Sequence, residues 1–364
     1  MIIKDIELKH FRNYDHQELV FDPLINIFVG DNAQGKTNAL EAIYLLSSSR
    51  SFKTHIIEDM IQFNEQSAVV SGHVISNNRP ITMKIALTKK GKKAFINMNE
   101  IARTSDYIGY FNAILFLPED LQLIQGSPRL RRRLLDQEIA KISPIYAYNL
   151  AKYQSLLKER NAYLKQLSEQ HKQADTYLDV LSEQLASLQV DLINRRQAFV
   201  SLLNEFSQSL YQYIAEDEAL QITYHCQYKE ISEQAILAKY QDNYSRDIMY
   251  RTTVDGIHKD DLHITLNQHN ATLYASQGQQ RSIVLAMKIA LLEIVRKEVG
   301  EYPILLLDDV LSELDDTRKE KLLNLISNKI QTFMTTTSLD GIDHEVVKKA
   351  KKLVISSGHL EGTY

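Results

Sequence analysis

Eight consecutive residues, Gly30-Asp31-Asn32-Ala33-Gln34-Gly35-Lys36-Thr37, have the makeup of a phosphate cradle. Glycines let the backbone curl so that its N–H groups converge on an anion, and a helix starting at Lys36 adds its positive dipole end. Lys36 is placed to reach the β- and γ-phosphates of a nucleoside triphosphate, and Thr37 to ligate Mg²⁺. The run fits GxxxxGK[ST] in full, which leaves a plain glycine turn before a helix as a weak alternative. A second group lies far along the chain. The apolar run Ile304-Leu305-Leu306-Leu307 ends in two carboxylates. Asp308 suits a Mg²⁺ position, and Asp309 suits a group that orients or deprotonates an attacking water. Alone, such a run is equally well a buried strand with acidic capping residues; paired with the phosphate cradle, the catalytic reading is preferred. The third group is Ser276-Gln277-Gly278-Gln279-Gln280-Arg281, a polar stretch opening a helix. It is a further anion site or simply a capped helix start, and the residues alone do not separate the two.

The elements that must position these groups follow from periodicity. Strands are expected at Met1–Phe11, Leu24–Val29, Ala68–Ser76, Ile81–Thr88 and Ala94–Asn99, with turns at Asn77–Pro80 and Lys89–Lys92. From Ser143 to Tyr213 there is no glycine and apolar residues recur at helical spacing, with a polar break over Ser168–Thr176. Strands return at Gln221–Tyr228, Leu262–Leu266 and Ala271–Tyr274. A helix over Ser276–Lys297, a strand at Pro303–Leu307, a helix over Glu313–Asn328 and strands at Thr332–Thr337 and Leu353–Ser356 complete the pattern. The fold class is therefore α/β: a mixed β part plus a parallel sheet covered by helices, with an inserted α-helical lobe. The expected division is 1–120 for the first part of the nucleotide-binding head, 121–220 for the lobe and 221–364 for the rest of the head.

Bulk properties narrow the class. The chain has 364 residues, 44% apolar and 24% charged, with net charge −4. This is ordinary globular composition, and the slight acidity argues mildly against a nucleic-acid binder while leaving local basic patches open. One cysteine, Cys226, excludes an intrachain disulfide, and no Cys/His set suggests zinc. The N-terminus lacks the pattern of a signal peptide and no run of apolar residues is long enough to span a bilayer, so a cytoplasmic protein with no membrane partner is expected.

Together, the phosphate loop, the Ser276–Arg281 signature and the acidic strand resemble the ABC-type ATPase heads of the RecF and SMC group. Further stretches are similar to the RecF family in particular, across Met1 to about Thr337. These are Phe11-Arg12-Asn13-Tyr14, Phe116-Leu117-Pro118-Glu119-Asp120-Leu121, Gly126-Ser127-Pro128 leading into Arg131-Arg132-Arg133, Gly256–Leu262 and Ala275–Arg281. The short helical stretch in place of long coiled arms fits the same family. The resemblance implies two ATP molecules, each with Mg²⁺, sandwiched in an ATP-dependent head-to-tail homodimer. Ser276, Gly278 and Gln279 of one subunit would then contact nucleotide bound at Gly30–Thr37 of the other. It implies a D-loop at Leu311–Asp315 and a γ-phosphate sensor near Thr335–Thr337. It also implies action on single-stranded and gapped duplex DNA, with RecO and RecR as partners, in loading RecA during replication, repair and the SOS response.

The chain departs from other ABC-type heads in carrying Asp309 where many have glutamate, which suits slow turnover and a switch. Gln122 and Gln125 are the only candidates for a Q-loop glutamine, and no histidine switch is evident. Arg129, Arg131, Arg132 and Arg133, and Lys348, Lys349, Lys351 and Lys352, are candidate phosphate contacts, although such runs are more often solvated faces. A transporter ATPase subunit, another SMC-like repair ATPase and a metabolic P-loop kinase are the competing readings. The helical insert, the absence of long arms and the unexplained signature argue against them in turn.

Overall fold

The computed structural model describes residues 1–215, 218–338 and 345–364, with no account of the Glu313 side chain. The strands in chain order are β1 Ile2–Phe11, β2 Tyr14–Val20, β3 Ile25–Val29, β4 Ser67–Ser76, β5 Arg79–Thr88, β6 Gly91–Ile96, β7 Asn99–Ile101 and β8 Ala113–Phe116. They continue with β9 Leu220–His225, β10 Asp261–Leu266, β11 His269–Asn270, β12 Ile304–Leu307, β13 Thr332–Thr336, β14 Lys351–Ser356 and β15 His359–Thr363. Two compact units result. The first comprises Met1–Leu121, Leu210–Glu216 and Arg281–Tyr364; the second comprises Gln122–Ser209 and Asp217–Gln280. The grouping differs from the sequence-based division over 221–280, which falls with the helical lobe and not with the head.

The first unit holds two six-stranded sheets. One, ordered β2-β1-β4-β5-β6-β7, is antiparallel throughout. The other runs β15-β14-β3-β13-β12-β8 and is parallel except for β15. The helix Lys36–Ser48 follows the phosphate loop, and all its residues from Ala39 to Ser48 are buried. A helix buried on every side must be covered on every side. This one packs against β4 and β5 of the first sheet and β8 and β13 of the second. One apolar core, from Ile6 and Leu8 through Leu40 and Ile43 to Phe28 and Phe333, joins the layers.

The second unit contains the helices Pro128–Ile142, Pro144–Glu169 and most of Thr176–Ala215, with the antiparallel sheet β11-β10-β9. Its interior is unusually polar. Arg160 is fully buried and donates to Asp247 (2.8 Å), Thr253 (2.7 Å) and Ser182 (3.1 Å). Arg196, 2% exposed, donates to Asp136 (2.7 Å), Tyr146 (2.9 Å) and the Ile257 carbonyl (2.8 Å). His258 lies between the Tyr153 hydroxyl and the Thr253 carbonyl, each 3.0 Å away. Burial lowers its pKa from the usual 6.5 to about 4.

Four local expectations need correction. The strand expected over Ala94–Asn99 ends at Ile96, because Asn97 and Met98 (φ 48° and 67°) turn the chain back into β7. Ala271–Tyr274 is a helical turn, because Asn270 caps it by accepting from the Thr272 N–H at 2.8 Å. The helix expected from Glu313 starts at Asp316, where Asp315 accepts from the Arg318 N–H at 2.9 Å; a 3₁₀ turn Val310–Glu313 precedes it. Leu353–Ser356 is not the last strand, since β15 pairs back on β14. No described helix is long and apolar enough to cross a membrane.

Removing one partner of a buried ion pair leaves an uncompensated charge, which costs about 3–5 kcal/mol. Asp247→Ala is accordingly expected to lower the urea midpoint sharply. An unchanged midpoint would show that the buried Arg160 needs no carboxylate. His258 stays neutral in the fold while the unfolded chain gains a proton, so stability is full above pH 6.5 and falls as the pH drops toward about 4. The urea midpoint of the natural chain is expected to decline more steeply over this window than that of His258→Gln.

Candidate nucleotide site

Between β3 and the helix Lys36–Ser48 the chain turns through Gly30 (φ 157°), Ala33 (φ 65°) and Gly35 (φ 118°). The glycines are required by their neighbours. A Cβ on Gly30 would lie 2.3 Å from the Ile355 carbonyl oxygen, and one on Gly35 would lie 2.8 Å from Asn13 Nδ2. Four carbonyls of the loop, those of Gly30, Asp31, Gln34 and Gly35, are engaged. Lys36 Nζ donates to Gly30 O (2.5 Å) and Asp31 O (2.7 Å). Asn13 donates to Gln34 O (3.0 Å) and the Tyr14 hydroxyl to Gly35 O (3.0 Å). From the other end of the chain, the Gly358 N–H donates to Gln34 O (2.9 Å) and the Ser357 N–H to Gln34 Oε1 (2.6 Å). Asp31, Asn32 and Ala33 are exposed at the rim.

The carboxylates come in through register. β13 lies between β3 and β12, and pairing of Leu307 with Met334 sets the next residues, Asp308 and Thr335, level. Asp308 Oδ1 accepts from Thr37 Oγ1 and from Thr335 Oγ1, each at 2.8 Å. Thr335 Oγ1 in turn accepts from the Asp309 N–H at 2.8 Å. Asp309 has left-handed backbone (φ 52°), a conformation aspartate tolerates better than most residues. Burial raises the Asp308 pKa, opposed by its two threonine hydrogen bonds and by Lys53. Burial likewise lowers that of Lys36, opposed by the charges of Asp309, Asp31 and Asp308. A carboxylate and an ammonium held against their own desolvation are suited to a cation and an anion respectively.

The residues fit a nucleotide with Mg²⁺. Thr37 and Asp308 present a hydroxyl and a carboxylate oxygen, the hard donors Mg²⁺ takes together with phosphate oxygens and waters. Among the described residues no group of three or more His, Cys, Asp or Glu could cage a metal alone. The ion therefore fits here as a companion of the phosphates. Bound there, it would neutralise charge between phosphate oxygens.

Ser276, Gly278 and Gln279 lie in the second unit, apart from the residues above in the division of the chain. Ser276 and Gln279 form a reciprocal capping box: the Ser276 N–H donates to Gln279 Oε1 (2.7 Å), and Ser276 Oγ accepts from the Gln279 N–H (3.2 Å). Gln279 Nε2 also donates to Glu218. Gln125 donates to Gln280 (2.7 Å).

Sequence reasoning missed several supports. Arg12 forms a two-point pair with fully buried Glu41 (2.8 and 2.7 Å), and Ser51 donates to the same carboxylate. Ser357 and Gly358 were unmarked because more than three hundred residues separate them from Gln34. The basic runs also turn out differently. Arg131 pairs with Asp261 at two points (each 2.8 Å), and Arg132 donates to Asp260 O (2.7 Å), which leaves Arg129 and Arg133 exposed. Lys351 and Lys352 are half-buried in β14.

Gly358→Ala tests the pin from β14–β15. Its Cβ would lie 2.1 Å from Asn13 O at φ +78°. The strain, about 1–2 kcal/mol, should weaken ATP binding roughly 5- to 30-fold. Gly362→Ala, whose Cβ meets nothing nearer than 3.9 Å, should bind normally in the same titration.

Known proteins place this geometry in a family. Residues 2–358 match the RecF/RecN/SMC N terminal domain. The chain is 45% identical to the DNA replication and repair protein RecF of Lactobacillus johnsonii, over 99% of each, and 42% identical to that of Bacillus subtilis, over 99% of this chain and 100% of the relative. It superposes with a TM-score of 0.90 on the recombination mediator protein RecF-ATP of the RecFOR pathway, at 32% identity over 98% of this chain and 96% of that one. An SMC head bound to the C-terminal winged-helix domain of ScpA shares the fold, with a TM-score of 0.60 at 16% identity over 100% of this chain and 98% of that one. By sequence over its full length and by fold, the chain belongs to the RecF family.

Proposed function

We propose that this chain is an ATP-dependent DNA-binding protein of replication and recombinational repair, acting in the cytoplasm as a slow ATPase switch. Each copy binds ATP with Mg²⁺ at Gly30–Thr37. Two copies close head to tail, so that Ser276, Gly278 and Gln279 of one meet the phosphates held by the other. The closed dimer binds single-stranded and gapped duplex DNA at junctions and acts with RecO and RecR to help load RecA. Support comes from membership of the RecF family, whose relatives carry the name DNA replication and repair protein and include an ATP-bound recombination mediator of the RecFOR pathway.

The observation that carries the switch is Asp308 accepting from both Thr37 and Thr335 while Thr335 accepts from the Asp309 N–H. These hydrogen bonds link the helix start to the strand end, so a γ-phosphate arriving beside Lys36 bears on the strand end that carries Asp309. Asp309 then positions water for hydrolysis, and loss of the γ-phosphate loosens the dimer. Because ATP favours only the closed state, it shifts dimerisation and DNA affinity together.

Sedimentation with Mg²⁺ and a slowly hydrolysed ATP analogue, then with ADP, tests this. The natural chain is expected to double its mass only with the analogue. Ser276→Arg is expected to bind nucleotide yet remain monomeric. A mass unmoved by nucleotide, or normal dimerisation of Ser276→Arg, would remove the switch.

A further inference from the structure

The hairpin joining β5 to β6 carries Lys89, Lys90, Lys92 and Lys93 around its tip, all exposed. Thr88 pairs with Gly91, and the Thr88 hydroxyl donates to Gly91 O at 3.0 Å, so Lys89 and Lys90 form the turn itself. Strand alternation sends Lys92 and Lys93 to opposite faces. Lys93 pairs with Glu100 at 3.0 Å. Lys92 sits opposite Leu87 on the core side and reaches Ser49 O, at the C-terminal end of the helix Lys36–Ser48. That contact sets Lys92 beside Arg50, which is exposed.

A solvated turn would also be rich in lysine, but it would not hold like charges together. The Lys92 ammonium is desolvated where it meets the helix end, although the residue as a whole is exposed; that desolvation and the charge of Arg50 both lower its pKa, and no carboxylate opposes them. The helix end offers only the partial negative charge of its last carbonyls. Among the described residues Arg50, Lys89, Lys90 and Lys92 form no ion pair, and Lys93 alone has an acidic partner. The adjoining strand β4, whose Ser67 pairs with Thr88, carries no acidic residue. The tip thus carries five cations, of which Lys93 alone has an acidic partner among the described residues, in a chain whose net charge is −4. Lysines are point charges on flexible stems, suited to phosphates spaced along a backbone.

We propose that this hairpin tip, with Arg50 at the end of the phosphate-loop helix, is a docking surface for the sugar-phosphate backbone of duplex DNA. The proposal rests on the DNA-binding reading given above and locates one part of its surface. Contact is independent of base sequence. Since the helix Lys36–Ser48 starts at the phosphate loop and ends at this cluster, one rigid element of about 20 Å touches nucleotide at one end and DNA at the other.

The test compares the natural chain, Lys89→Ala/Lys90→Ala and Lys89→Arg/Lys90→Arg, with Mg²⁺ and a slowly hydrolysed ATP analogue. Binding of a fluorescein-labelled duplex is followed by anisotropy across a salt series. The alanine variant is expected to bind roughly tenfold more weakly, with the slope of log affinity against log salt reduced by about 2. The arginine variant is expected to match the natural chain. Binding of a fluorescent ATP analogue, equal in all three, reports that the fold is kept. Unchanged affinity and slope in the alanine variant overturn the surface while leaving DNA binding in place. A natural chain that binds no duplex in any nucleotide state overturns both.

Discussion

The nucleotide end of this molecule depends on one constraint: every carbonyl of the phosphate loop that curls inward must find a donor other than the nucleotide. Backbone carbonyls and N–H groups cannot both face an anion. The loop settles this by giving Gly30 O and Asp31 O to Lys36, Gln34 O to Asn13 and Gly358, and Gly35 O to Tyr14. Its N–H groups are then available to an anion. Phe11-Arg12-Asn13-Tyr14 owes its residue types to this task. Phe11 is buried in the core, Arg12 holds Glu41 on the helix behind the loop, and Asn13 and Tyr14 hold the loop itself.

The two units solve burial differently. The first fills the space between its sheets with aliphatic and aromatic groups, as three edge- and face-packed phenylalanines, Phe21, Phe28 and Phe333, illustrate. The second buries whole guanidinium groups with their partners. Such networks contribute little net stability, because desolvation offsets the attraction, but a misplaced helix would strand a charge. In this unit correct assembly is therefore enforced more by the cost of error than by the gain from contact. The Gly256–Leu262 segment owes its composition to this: His258 and Asp261 face Tyr153 and Arg131 from the helices of the unit, and Asp260 accepts from Tyr224 of β9.

Much of this was legible in the sequence. The phosphate loop and the acidic strand announce themselves because their chemistry is local, and strong period-2 runs located β1, β4 and β5 within a residue or two. What stayed hidden was set by distant partners. Ala271–Tyr274 has strand-like residues, yet the Asn270 cap turns it into a helix. β2 and β15 are polar edge strands whose alternation is weak. The allocation of 221–280 to the second unit depends on salt links such as Arg131–Asp261, which no local pattern reveals. Runs of positive charge were the least legible, since the same arginines serve as interior anchors or as surface charge according to what lies opposite.

The strand order has a consequence for how the protein is made. β3 leads into the phosphate loop near the start of the chain, but its neighbours on either side, β13 and β14, are translated some three hundred residues later. A nascent chain holds the motif through some three hundred further residues without the sheet that shapes it. The shaped loop must therefore wait until β13 and β14 have been made, and late, long-range strand pairing of this kind is slow. An abandoned, unfinished copy would carry the loop without the strands that hold it on either side.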